Sequence, residues 1–381
     1  MSAPSKSPLP ARTNNRTLST AVDRWVGIGP YYAMFPVKFA FDVVRRFSNS
    51  GDGVLDPFAG RATGIFAAAA SGRRAVGIEI NPVGWLYGSV KLKPAAKRNV
   101  LGRLQEVATL AIDETFKDEL EALPEFFRWG YAHRLRRFLL CARQTLRWRS
   151  SRVDATVMAF LLTYLHGKRG AALSNQMRDG KAMSPDYAVA WWRERKMKAP
   201  TLDPVAFLAK RIEWRYKKGV AQCSGGEVCF GDCIRVLRRI RDDVESGRRR
   251  PFRLLFTSPP YCGITNYHYD QWLRLWLLGG PSQPTRVHGL WTRKFESRTD
   301  YAKLIDLAFE GCSAVMARNA VVYVRTDARE FTLETTLGAL RKHFPKRPLR
   351  VVQRPIARQT QTVLFGDRTR KPGDVDILLK L

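Results

Sequence analysis

The chain has 381 residues, enough to bury one large core carrying an insertion, or two smaller cores. Lys and Arg number 65 against 34 Asp and Glu, a formal charge of +31 that exceeds what solubility asks and points to a polyanion, nucleic acid first. A membrane span is excluded because the longest strongly apolar stretch, Val153–Leu165, is too short and holds Asp154; with no apolar core after the first charges a secretory signal is not expected, and the six cysteines read as reduced thiols of a cytoplasmic protein.

Residues 1–24 are rich in Ser, Pro, Arg and Asn, lack apolar periodicity, and read as a flexible basic tail. Tyr31 to Pro36 then leads into Val37–Phe47, where Val37, Phe41, Val44 and Phe47 recur at helical spacing. Next comes a strand–turn–helix–strand unit: Val54-Leu55-Asp56-Pro57-Phe58 closes a strand and Gly60-Arg61-Ala62-Thr63-Gly64 is the turn. Ile65–Ser71 is an Ala-rich helix, and Ala75–Ile80 is the second strand, with Glu79 near its end. That order is the nucleotide-binding half of a doubly wound α/β sheet. Its glycine-bearing turn admits a ligand to the backbone, and an acid ending the second strand can hold ribose hydroxyls.

From residue 99 to 222 the pattern is mainly helical, an insert with the character of a DNA-binding or target-recognition region. Arg128 to Arg152 holds eight arginines and no acid, over an apolar stripe of Leu135, Phe138, Leu139, Ala142 and Leu146. An arginine-rich face is ordinarily just solvated, but with this net charge phosphate contact is the better reading, with Arg136 and Arg143 as candidates. Val153–Leu165 reads as the buried helix of the insert. The polar stretch from His166 through Lys168 and Arg169 to Arg178 is either a DNA-contacting loop or an ordinary surface loop.

Sheet signals resume at Val228-Cys229-Phe230, followed by Gly231-Asp232 and a basic helix from Ile234 to about Arg241. Phe252–Phe256 is a strand that delivers Thr257-Ser258-Pro259-Pro260-Tyr261. Trp272 and Trp276 beyond it have the spacing of core packing, and Asn266 and Tyr267 suit the lining of a pocket. Ala320–Val324 is another strand, Arg368 to Lys371 a basic cluster that touches phosphate or is simply solvated, and Asp376–Leu379 a final edge strand. Cys223, Cys229 and Cys233 form C-x5-C-x3-C, which matches no common zinc pattern, so no metal is expected.

The loop Thr257–Tyr261 carries the chemistry. Two prolines remove two N–H donors and stiffen the turn, leaving carbonyls, a hydroxyl and an aromatic ring to face one cleft. That combination suits a flat heterocycle with an exocyclic NH2. Such an amine is a poor nucleophile because its lone pair is delocalised into the ring. Acceptors on its two N–H bonds draw it towards sp³ geometry and stabilise the positive charge that develops on attack.

Together, Asp56-Pro57-Phe58-Ala59-Gly60 and Thr257-Ser258-Pro259-Pro260-Tyr261 resemble the S-adenosylmethionine-dependent DNA amino-methyltransferases, over about residues 28–92 and 226–381. The resemblance implies a Rossmann-like class I methyltransferase fold, with a mixed, mainly parallel seven-stranded sheet and helices on both faces. Residues 25–98 and 223–381 would form it, interrupted by the helical insert. It further implies that Tyr31, Phe35, Pro36 and Lys38 pack near the methionine part of S-adenosylmethionine. Asp56, Phe58, Gly60, Thr63 and Thr257 would lie about its amino-acid end, Glu79 at the ribose and Asp232 near the adenine amine. Ser258, Pro259, Pro260 and Tyr261 become the catalytic loop, with the Ser258 hydroxyl and the Pro259 carbonyl as acceptors and Tyr261 stacking on a base flipped from the duplex. A first-position serine favours cytosine N4 over adenine N6. RNA as substrate, or a catalytically weak DNA-binding descendant, are the alternatives. A cognate restriction endonuclease and a prokaryotic cytoplasm, at the nucleoid when on DNA, fit the same picture; the oligomeric state stays open. The sequence departs from the family at Ala62, where a glycine is usual: the methyl disfavours positive φ where backbone and cofactor approach.

Overall fold

The computed structural model describes residues 18–31, 34–112, 116–263, 267–284, 297–345, 347–354 and 373–381. Among them seven strands form one sheet: β1 Gly53–Asp56, β2 Arg74–Glu79, β3 Gly226–Phe230, β4 Phe252–Thr257, β5 Met316–Asp327, β6 Arg350–Arg354 and β7 Asp374–Lys380. Their order is β3-β2-β1-β4-β5-β7-β6. Neighbours from β3 to β5 are parallel, and β7 runs antiparallel between β5 and β6. This is the Rossmann-like methyltransferase fold expected from the motifs.

The central strands read as continuous apolar runs because helices cover both faces. Val54, Leu254 and Phe256 enter one hydrophobic cluster, while their neighbours Leu55 and Leu255 enter the other, beneath the helices Cys233–Glu245 and Arg298–Ser313. The strand order reverses between β1 and β4. The crevice beyond the carboxyl ends of that pair is where such sheets bind ligands, and each of the two strands ends in one of the motifs.

Two expectations need correction. The tail does not run to Arg24: Thr20 caps the helix Ala21–Val26, accepting from the Asp23 amide while Asp23 accepts from Thr20, and Arg24, Trp25 and Val26 are buried. Trp25 explains the burial, since its indole Nε1 donates to the Gly219 carbonyl and its ring meets Tyr216 edge-on at 4.9 Å. The last strand is not an edge. β7 lies between β5 and β6, with Val375, Ile377 and Leu379 in the core and Asp376 paired to Arg325 at 2.7 Å. The edge is β6, whose sequence Arg-Val-Val-Gln-Arg is too polar to have been read as a strand.

Between the Pro82–Leu92 helix and β3 the described insert is mainly helical, from Lys97–Leu110 to Pro204–Tyr216, with a non-helical stretch between the helices Arg152–Tyr164 and Pro185–Glu194. The stripe Leu135, Phe138, Leu139, Ala142 and Leu146 is buried, as is almost all of the helix Arg152–Tyr164. These side chains belong to the same cluster as Val54 and Phe256, so insert and sheet share one continuous core. No helix among the described residues is long and apolar enough to cross a membrane.

Candidate active site

The site begins with the turn after β1. Asp56 accepts from the Phe58 amide at 3.1 Å, folding the chain back on itself, and the Ala59 amide donates to Ile78 O of β2 at 3.0 Å. Gly60 (φ +54°) and Ala62 (φ +58°) both take left-handed conformations, and the helix Thr63–Ala69 starts directly afterwards. Ala62 therefore holds the conformation that glycine favours, at a cost to an L-residue of about 1 kcal/mol.

β4 brings the second motif alongside. The Thr257 hydroxyl donates to Asp56 Oδ1 at 2.7 Å, joining residues far apart in the chain. One pocket is lined by Tyr31, Phe35, Asp56, Phe58, Gly60 and Thr63 of the expected cofactor set, and by Ser258 of the Thr257–Tyr261 loop. Met34, Ala59 and Arg61, which sequence reasoning did not single out, line it too. Phe35 reaches the site by stacking on Phe256 of β4, centroids 4.4 Å apart and planes 13° from parallel. Pro259 and Pro260 are buried, Ser258 and Tyr261 partly exposed.

The pocket suits an amphipathic cation-bearing ligand such as S-adenosylmethionine. The Thr63 hydroxyl is buried on its wall without a hydrogen-bond partner, three aromatic rings flank it, and Asp56 offers a carboxylate. Burial pushes Asp56 up to about 7 against the hydrogen bonds from Thr257 and Phe58, so a cationic group nearby would restore its charge.

Other predicted residues stand further off. Glu79 is nearly buried at the end of β2 and accepts from the Asn81 amide at 2.6 Å. Burial pushes it up to about 8, opposed by the amides of Asn81, Gly60 and Ile80 and assisted by the Asp56 charge. Glu79 thus braces the Gly60 turn from below. Asp232 caps the helix Cys233–Glu245, its Oδ1 accepting from Ile234 and Arg235, and Gly231 N donates to Glu79 O. Pro36 is the residue before the helix Val37–Phe47, and Lys38 on that helix is exposed and paired with Asp42 at 2.9 Å. Neither lines the pocket.

On the substrate side, Tyr267 opens the short helix Tyr267–Asp270, while Asn266 and the cluster Arg368–Lys371 lie outside the described residues. Lys168 and Arg169 are exposed on a compact loop, where the Arg169 amide donates to Gln176 Oε1 and its guanidinium to Lys198 O. Arg136 is half-buried. Arg143 is a correction: its guanidinium donates to the Trp276 and Gly280 carbonyls, so it ties helices together instead of facing phosphate. Its solvated sequence neighbours hid this, because nothing local shows that two carbonyls from a distant helix need a donor.

Trp276 and Trp272 pack as core, the latter edge-on to Phe126 at 5.0 Å. The segment following the Thr257–Tyr261 loop is in fact laced to the insert. Ala182 N donates to Asp270 O at 3.1 Å, Lys181 pairs with Asp270 at 2.9 Å, and Trp272 Nε1 donates to Met183 O at 3.1 Å. Arg274, fully buried, donates to the carbonyls of Leu162 (3.0 Å) and Asp179 (2.7 Å) and to Gln271 Oε1 (2.7 Å).

Comparison with known proteins agrees with this picture. A family described as DNA methylase matches residues 8–83. The Type II methyltransferase M.AvaI of Nostoc sp. is 26% identical over 290 residues, 66% of this chain and 54% of that protein. Type II methyltransferase M.MjaII of Methanocaldococcus jannaschii is 29% identical over 112 residues, 28% of this chain and 21% of its own. Type II methyltransferase M.MthZI of Methanothermobacter thermautotrophicus is 41% identical over 49 residues, 13% and 14% of the two chains. The chain thus spans about half the length, or less, of these relatives. The matches bear out the resemblance that the two motifs suggested.

Proposed function

We propose that this chain, a relative of the DNA amino-methyltransferases, methylates the exocyclic amine of a base flipped out of double-stranded DNA, with cytosine N4 as the target. The observation that carries the reading is the joining of the two motifs: Thr257 donates to Asp56 at 2.7 Å, and Ser258 shares the pocket of the Gly60 turn. S-adenosylmethionine, when bound, supplies a methyl group on a sulfonium centre. Tyr31, Phe35, Asp56, Phe58, Gly60 and Thr63 hold it, with Glu79 and Asp232 towards the ribose and adenine. The Ser258 hydroxyl and the Pro259 carbonyl accept the two amine N–H bonds, and Tyr261 stacks on the base. Holding the two reactants in line supplies much of the rate, and no covalent enzyme intermediate is needed.

Serine in the first position of the loop supports cytosine N4 over adenine N6, as in the family resemblance. The charge of +31 supports a duplex substrate, gripped by the insert through Lys168, Arg169 and the exposed arginines. The reading puts the enzyme in a prokaryotic cytoplasm, with a cognate restriction endonuclease as the partner that its methyl mark would blind. A second reading, a catalytically weak DNA-binding protein, draws on Ala62 in a left-handed turn.

The test uses radiolabelled S-adenosylmethionine with duplex DNA or with RNA, digested to nucleosides. Label in N4-methylcytosine is expected. Label in N6-methyladenine moves the target, label only in RNA moves the substrate, and none at all favours the second reading. Ser258→Ala is expected to lower transfer about 100-fold while cofactor binding stays within about twofold. Transfer at the wild-type rate would remove Ser258 from the chemistry.

A further inference from the structure

The left-handed Ala62 sits where the pocket turn enters its helix, and the Pro82–Leu92 helix is built around it. Gly84 and Gly88, four residues apart on that helix, face the turn. A Cβ at Gly84 would lie 2.9 Å from the Gly60 carbonyl, and one at Gly88 would lie 2.9 Å from the Ala62 methyl. Contacts that close do not occur, so glycine at 88 makes the room that alanine at 62 occupies. One turn further along the same helix, Lys91 is fully buried and its ammonium donates to the Arg61 carbonyl at 2.6 Å.

That carbonyl belongs to the same peptide plane as the Ala62 N–H, which donates to Ala59 O at 2.7 Å. The orientation of this plane sets φ at Ala62, because φ is the rotation about the next bond. The plane is pinned at both ends: its N–H from within the turn, its carbonyl from the helix. Arg61 adds a third tie, its guanidinium donating to Gly29 O at 2.8 Å. Without the Lys91 bond only the N–H tie to Ala59 O would hold this plane, and turning it over, which relieves the alanine, would carry Gly60 and the unpartnered Thr63 hydroxyl out of register with the pocket.

Building on the methyl-transfer reading, we propose that Lys91 is a positioning residue for cofactor binding: with Gly88 it holds Ala62 in the left-handed turn that glycine would adopt unaided. Lys91 touches no ligand itself; it acts through the Arg61–Ala62 peptide.

The experiment measures S-adenosylmethionine binding by calorimetry, with steady-state methyl transfer alongside. Lys91→Met keeps the bulk of the side chain and removes the donor. It is expected to raise Kd and the cofactor KM about tenfold, with kcat at saturating cofactor within about twofold. Ala62→Gly alone is expected to change Kd less than about twofold, because the turn is already held, but in the Lys91→Met background it recovers most of the loss. Gly88→Ala would set a methyl 2.9 Å from the Ala62 Cβ and 3.0 Å from Val228 Cγ2; it is expected to weaken binding similarly and to be rescued in part by the same Ala62→Gly change, which removes the first of those contacts. An unchanged Kd in Lys91→Met, or a loss that Ala62→Gly leaves intact, overturns the proposal. If Lys91→Met does not fold, the Gly88→Ala pair decides by the same rescue. A wild-type chain that binds no cofactor sinks the methyl-transfer reading itself and takes this inference with it, whereas failure confined to the variants sinks the inference alone.

Discussion

Asp56 and Glu79 answer to the same pressure. Each is buried at the end of a strand beside the pocket turn, and burial is the leading reason that Asp56 rises to about 7 and Glu79 to about 8. A carboxyl with a raised pKa binds, in the fold, a proton that the unfolded chain has already lost. Folding stability contributed by such a group therefore falls as pH climbs through the folded value. His166, buried and pushed well below its ordinary value, acts in the opposite sense only below about 6.5, where an unfolded imidazole takes up a proton. Between about pH 6.5 and 8.5 the carboxyls lower stability as pH rises, and thiols such as Cys223 and Cys312, also raised by burial, act in the same sense towards its upper end, so the melting temperature of the ligand-free protein should drop across that window, and Asp56→Asn should shallow the drop. Melting curves that are flat from 6.5 to 8.5 would refute this. At this scale the sequence was most legible where two short motifs pointed to one place in the fold, as with Asp56, Thr257 and Ser258. It was silent on Lys91 and Arg61, since the need for a buried donor is created by a backbone carbonyl that only the folded turn exposes. The pair Gly84 and Gly88, spaced to share one helix face, was a readable signal of close approach that the sequence reading did not use.

The helical insert shows why elements cannot be assigned to function by composition alone. Its arginines looked like a phosphate-binding face, yet Arg143 is spent on the carbonyls that end the helix Trp272–Leu277. The insert's segment 179–183 is laced to residues 270–274, beyond the Thr257–Tyr261 loop. Arg274 is the densest knot, holding the Leu162 and Asp179 carbonyls from inside the core. Arg274→Ala would leave buried carbonyls without a donor and should cost about 3 kcal/mol of stability. If the lacing also sets the base pocket, transfer to DNA should fall further than the cofactor affinity does. Denaturant unfolding with parallel binding and transfer assays checks both halves, and equal losses in binding and transfer would argue against a pocket role. Strands and helices with strong periodicity, such as Val37–Phe47, were readable to the residue. β6 and the true place of β7 were not, because position within a sheet depends on partners far away in sequence.

For the molecule as a whole, the excess of basic residues bears on the proposed binding of duplex DNA. A protein that neutralises six or more phosphates loses affinity steeply as salt displaces it, so duplex binding should weaken about a thousandfold between roughly 50 and 200 mM salt. A shallow dependence would mean that the +31 charge is spread over surface that never touches DNA. The net charge was legible at once from the sequence, but its placement was not, since only folding decides which arginines are consumed internally. The fold class was legible too, through the strand–turn–helix unit and its distant partner loop. One further consequence lies in the pairing of β2 with β3, which the entire helical insert separates along the chain. During synthesis β2 must wait with one edge bare until the insert has emerged and packed, because β3 follows it. Closing so long a loop costs little extra free energy, growing only with the logarithm of its length. The toll falls on time instead: nucleation of the sheet is non-local, so this chain should be a slow folder whose open β2 edge invites mispairing until β3 arrives.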